Sequence, residues 1–123
     1  MKNEDKKKRI VTLLFGSNNE LEMQRERFST LHWGSYNYLY FENPSNEELE
    51  NVFKRNDILE YQIFSVGVFS DLVDLHRTVR IAHENGKKIE FLYENITSSK
   101  KVNFQQVLYS LMLYYNPEQK LWI

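Results

Sequence analysis

The stretch "RIVTLLFGS" (Arg9–Ser17), running straight into "NNELEMQRERFSTLHW" (Asn18–Trp33), decides how the chain is read. Its first half is a β-rich apolar run broken by Gly16 and Ser17. Its second half sets Leu21, Arg25, Phe28 and Leu31 at helical spacing, with Gly34 as a stop. This is a strand followed at once by a helix, and Ser17 stands at the junction. A serine there has two physical uses. Its side-chain oxygen can accept from the free amides of the first helical turn, as N-cap serines do. A hydroxyl at a strand's carboxyl end, facing a helix N-terminus, also suits a group that must meet a phosphate. The local stretch leaves both open.

The same alternation continues outward. "YNYLYFEN" is an aromatic strand, and "PSNEELENVFKRND" is a helix with Pro44 and Ser45 at its start and acids in its first turn. "ILEYQIFSVGV" reads as a third strand, and "FSDLVDLHRTVRIAHENG" as a helix closed by Asn85 and Gly86. "KKIEFLYEN" gives a fourth strand, and "NFQQVLYSLMLYY" a last helix stopped at Asn116 and Pro117. Repeated βα units with short connections imply an α/β fold, a mainly parallel sheet with helices on both faces. In such sheets ligands gather at the carboxyl ends of the strands, near the point where strand order reverses. That brings Ser17, Glu42 to Asn46, Ser65 to Ser70 and Glu94 to Ser98 toward one site.

Composition narrows the class. The 123 residues suit one domain, expected over residues 10–123 behind a basic arm of residues 1–9. Hydrophobic residues at 41% and aromatic residues at 15% describe a globular chain rich in Tyr and Phe. No apolar run reaches the roughly 20 residues that span a bilayer, and "MKNEDKKKRI" lacks the apolar segment of a secretory signal. There is no cysteine, so disulfide and thiolate chemistry are excluded. A cytoplasmic protein without membrane contact or cofactor is expected. The net charge of -1 hides a basic start, Lys6, Lys7, Lys8 and Arg9, whose contact with DNA backbone would be weak and non-specific.

The order of elements and several local motifs resemble the catalytic domain of the serine recombinases, the resolvase and invertase family. "LLFGS" with Gln24 stands for the family's first strand and its nucleophile motif. "NDILEYQIFSVGVFSDLVDL" stands for the central strand and the motif after it, and "ENGKKIEFLYENITS" for the last strand and turn. The resemblance covers about Arg9 to Tyr115 and is strongest from Asn56 to Thr97. It implies a three-layer sandwich with a four-stranded sheet in the order 2-1-3-4, and it places Ser17 at the position of the nucleophile that joins to DNA.

The departures fall on the chemistry. Phe15 stands where the first motif has an arginine, and Ser65 and Val68 stand at the two arginine positions of the third-strand motif. No arginine occurs between Arg27 and Arg55, where the family has another. Phosphoryl transfer rests on positioning and on charge stabilisation at the phosphate oxygens, for which guanidinium groups offer a fixed fork of donors. One such contact is worth on the order of 2.7–4 kcal/mol, so losing several leaves little catalysis. The resemblance therefore implies a catalytically degenerate module that regulates DNA recombination or a DNA-bound complex through another protein. Two alternatives stand beside it: a stand-alone α/β interaction domain of the anti-sigma-antagonist type, and an active recombinase fragment using Ser17.

The remaining constellations are weaker. His76 and His83 are seven apart and lack a convergent third ligand, so no metal site is expected. His32 and Trp33 end the first helix, Asp71 and Asp74 start the third, and Tyr36, Tyr38 and Tyr40 alternate as a strand face does. The apolar "LMLYY" and the terminal "LWI" are the least expected for a domain end. They point to self-association or a protein partner at a surface centred on Tyr114, Tyr115 and Trp122.

Overall fold

A computed structural model describes residues 9–31, 37–98 and 102–115. The elements follow the alternation of the sequence. They are β1 (Arg9–Leu14), α1 (Asn18–Leu31), β2 (Asn37–Glu42), α2 (Asn46–Phe53), β3 (Ile58–Ile63), α3 (Leu72–Glu84), β4 (Glu90–Phe91), β5 (Ile96–Thr97) and α4 (Val102–Tyr115). The sheet order is β2-β1-β3-β4-β5, with β1 parallel to both β2 and β3, and β3 parallel to β4. The expected order 2-1-3-4 is present, extended by a short fifth strand antiparallel to β4.

That addition has a local cause. "KKIEFLYEN" cannot remain one strand, because Asn95 takes a left-handed conformation (φ 59) and its amide donates back to Leu92 O. The chain turns and returns as β5. Ser98 then secures the hairpin: its amide donates to Ile89 O at 2.8 Å, and its Oγ accepts from the Ile89 amide at 2.9 Å. The third strand is also shorter than its apolar run. It stops at Ile63, and Ser65 caps a 3-10 turn over Val66–Val68 by accepting from the Gly67 amide.

Handedness explains the layers. A right-handed crossover from β1 outward to β2 places α1 on one face, while the return past β1 to β3 places α2 on the other. Burial follows this division. Leu14, Leu21 and Phe28 form a small cluster under α1. Val11, Leu13 and Phe15 point the opposite way and pack with Leu49 and Phe53 of α2, Leu75 and Val79 of α3, and Leu108 and Met112 of α4. β1 is covered on both faces, which is why its sequence shows no polar alternation. Each fully buried phenylalanine, such as Phe28 or Phe53, contributes about 1.5–3 kcal/mol relative to an exposed one. Tyr61 is buried with them and donates its hydroxyl to Val52 O at 2.9 Å; burial, with Asp57 second, pushes that hydroxyl up to about 12.

Strand order reverses at β1. The loop after β1 leaves toward α1, and the loop after β3 leaves toward the opposite layer. The crevice between them lies at the carboxyl ends of the two central strands.

Candidate functional site

Ser17 stands at this crevice as the N-cap of α1. Its exposed Oγ accepts from the Glu20 amide at 3.3 Å, and Glu20 Oε1 accepts from the Ser17 amide at 2.7 Å. This is the reciprocal arrangement of a capping box. Gly16 makes it possible. At φ 127 the backbone favours glycine, and a Cβ there would lie 2.4 Å from Glu20 Oε1. Asn43, itself left-handed at φ 43, holds the same glycine from the side of β2: the Gly16 amide donates to its Oδ1, and its Nδ2 donates to Gly16 O. Gln24 braces Phe15 in the same two-bond manner. The carboxylate of Glu20 thus lies against the backbone beside Ser17, where an incoming phosphate would meet negative charge.

The guanidinium groups at this end are engaged elsewhere. Arg25 is ion-paired with Glu42. Arg77 donates to Asp74, to Asn46 Oδ1 and to Pro44 O, tying α3 to the loop that starts α2. Arg27 lies over the Phe64 ring, 5.1 Å from its centroid. The Ser17 hydroxyl is held by a backbone amide and not by a guanidinium.

Beside Ser17, between α1 and the end of β3, lies an open cavity of about 360 Å³. Ser65 and Val68, the two positions at which the recombinase resemblance calls for arginine, both line it. Ser65 is buried and satisfied: it donates to Glu94 Oε2 at 2.7 Å and accepts from the Gly67 amide, while the Val66 amide donates to Glu94 Oε1. The sequence brings Ser65 and Glu94 into one crevice, and the structure joins them by a hydrogen bond. Phe64 and Tyr93 lie on the same wall with their rings tilted and their centroids 6.0 Å apart.

One solved structure similar to this chain is that of a resolvase family site-specific recombinase from Streptococcus pneumoniae. The likeness has a TM-score of 0.58 at 15% identity and spans 92% of this chain and 91% of that one. The fold is resolvase-like. No family model and no curated protein matches the sequence.

The other candidate residues are spread over the molecule. Lys6, Lys7, Lys8, Trp122, His32, Trp33 and Tyr36 lie outside the described residues. Arg9 opens β1 and lies 3.7 Å from Asp57. Tyr114 is exposed on α4, and the side chain of Tyr115 is outside the described set. Tyr38 and Tyr40 lie on β2, and burial, then Tyr38, raises the Tyr40 hydroxyl above its ordinary value. Asp71 caps α3 by accepting from the Asp74 amide, and Asp74 pairs with Arg77. His76 meets the Tyr109 hydroxyl, whereas His83 is buried against Ser98. Among the described residues no three His, Cys, Asp or Glu side chains converge as a metal site, and no helix is long and apolar enough to cross a membrane.

Sequence reasoning did not single out Glu20, Arg27 or Tyr93, and it brought Asn43 toward the site only as part of the span Glu42 to Asn46. Glu20 had a signal, since Ser17 followed three residues later by Glu is the capping-box pattern. Asn43 before Pro44 marked a turn but not its bonds to Gly16, which bridge 27 residues.

Proposed function

We propose that this chain is a catalytically degenerate, recombinase-like domain that regulates DNA recombination or a DNA-bound complex by docking on another protein chain. The observation that carries the reading is the state of Ser17 within a resolvase-like fold: its hydroxyl caps α1, Glu20 lies against the same backbone, Arg25 and Arg77 are paired with Glu42 and Asp74, and Arg27 is turned onto the Phe64 ring instead of onto Ser17. A hydroxyl without a cluster of cations around it is a poor nucleophile, and among the described residues no arginine hydrogen-bonds to Ser17 to stabilise the charge of a transferring phosphoryl group there.

Docking falls to the last helix. Leu108 and Met112 are fully buried on the sheet side of α4, while Val107 is 47% and Tyr114 77% exposed on the other. One face of α4 holds the core together and the second presents apolar groups to a partner. Tyr114, Tyr115 and Trp122 are the anchors we assign to this interface, since aromatic residues commonly dominate such energies at about 2 kcal/mol or more each. The basic residues Lys6, Lys7, Lys8 and Arg9 add a weak backbone contact with DNA.

Two arms test this. In a mobility-shift titration, duplex DNA should bind weakly, lose affinity steeply between about 50 and 200 mM salt, and cease to bind when Lys6, Lys7, Lys8 and Arg9 become Ala. In light scattering, Trp122→Ala or Tyr114→Ala should reduce self-association, or retention of a partner purified with the chain. Salt-insensitive DNA binding, or a strictly monomeric and partner-free protein indifferent to both substitutions, counts against the proposal.

A further inference from the structure

We propose that the cavity between α1 and the carboxyl end of β3 binds a small aromatic monoanion, a planar ring carrying one carboxylate or phosphate-type charge. Its volume of about 360 Å³ falls at the lower end of the range of small-molecule sites. Its walls mix apolar groups such as Met23, Phe64 and Tyr93 with the polar Glu20, Arg27 and Ser65, and they are accessible, with Met23 54% and Tyr93 65% exposed. Large apolar side chains left open around a concavity are unusual in a small domain and mark a contact to be made.

The charge preference follows from which groups are already engaged. Arg27 makes no ion pair among the described residues; its guanidinium rests on Phe64, which fixes its orientation and leaves the fork of donors available. The neighbouring carboxylates are occupied, Glu20 by the Ser17 amide and Glu94 by the Ser65 hydroxyl and the Val66 amide. An aromatic ring stacked against Tyr93 would bring an anionic substituent to Arg27. Glu20 lies seven residues before Arg27 on the same helix, about 10 Å along its axis, and sets the limit at the other end. A second negative charge would meet its carboxylate. The site therefore selects one anionic group and disfavours a polyanion such as a nucleic acid strand.

The test is an amide NMR titration of the full chain with 2-naphthoate, using 2-naphthylmethylammonium and 2-naphthalenemethanol as cationic and neutral controls. The expected result is saturable shifts at Met23, Arg27, Gly67 and Tyr93, with naphthoate bound about tenfold more tightly than either control. Arg27→Gln should lower naphthoate to the level of the alcohol, and Tyr93→Ala should weaken all three ligands. Both side chains are exposed, and the dispersion of each variant's spectrum shows whether it is folded. Equal affinity for the three ligands, indifference to Arg27→Gln, shifts confined to α4, or no saturable shift up to about 10 mM would overturn the proposal.

Discussion

At the scale of a residue, the oxygen of Ser17 serves the backbone of α1. Both hydrogen bonds of the cap are local, so their removal has a defined cost. Ser17→Ala should lower unfolding stability by about 1 kcal/mol, while Ser17→Asp, which supplies an acceptor at the same position, should retain most of it. Urea denaturation of the three proteins measures this directly, and a Ser17→Ala protein as stable as the parent would remove the cap from the explanation. The cap was legible in the sequence because Ser17 and Glu20 have the spacing of a capping box. The bonds of Asn43 to Gly16 were not legible. They depend on β2 lying beside β1 in register, a fact of pairing that no window around either residue contains.

At the scale of an element, β4 shows how a strand of only two residues can carry a polar load. Glu90 lies across from Gln62 of β3, and its carboxyl is raised above the ordinary value, first by burial and then by the charge of Glu60. A carboxyl with a raised folded-state value stabilises the fold below its unfolded value, and that contribution is lost as pH rises through the folded value. At neutral pH the ionised Glu90 is therefore a liability. Glu90→Gln should raise the thermal midpoint at pH 7, with the gain shrinking toward zero below about pH 4. Melting curves over pH 3 to 8 test this. A variant less stable than the parent at pH 7 would show that the carboxylate makes a favourable contact instead. The division of "KKIEFLYEN" and the sequence after it into β4, a turn and β5 was illegible for a related reason. The apolar pattern runs on, and the break comes from Asn95 in a left-handed conformation and from Ser98 reaching back to Ile89.

At the scale of the whole molecule, the alternation of apolar strands and capped helices was enough to set the α/β class with a mainly parallel sheet, whereas the order 2-1-3-4 came from the resemblance to the serine recombinases and is the order observed. The crevice at the strand ends follows from the same rule. What fills it does not, since Arg27, Phe64 and Tyr93 come from three parts of the chain and meet only through the packing of α1 against β3 and the turn after β4. Within this resolvase-like fold, the serine at the end of the first strand gives its oxygen to the backbone. Covalent capture tests it most directly: the protein is incubated with supercoiled plasmid and mixed recombination-site DNA, quenched, and run on a denaturing gel. The expected result is no protein joined to DNA, for the parent chain and for Ser17→Ala alike. A covalent adduct formed by the parent and lost in Ser17→Ala would contradict the claim.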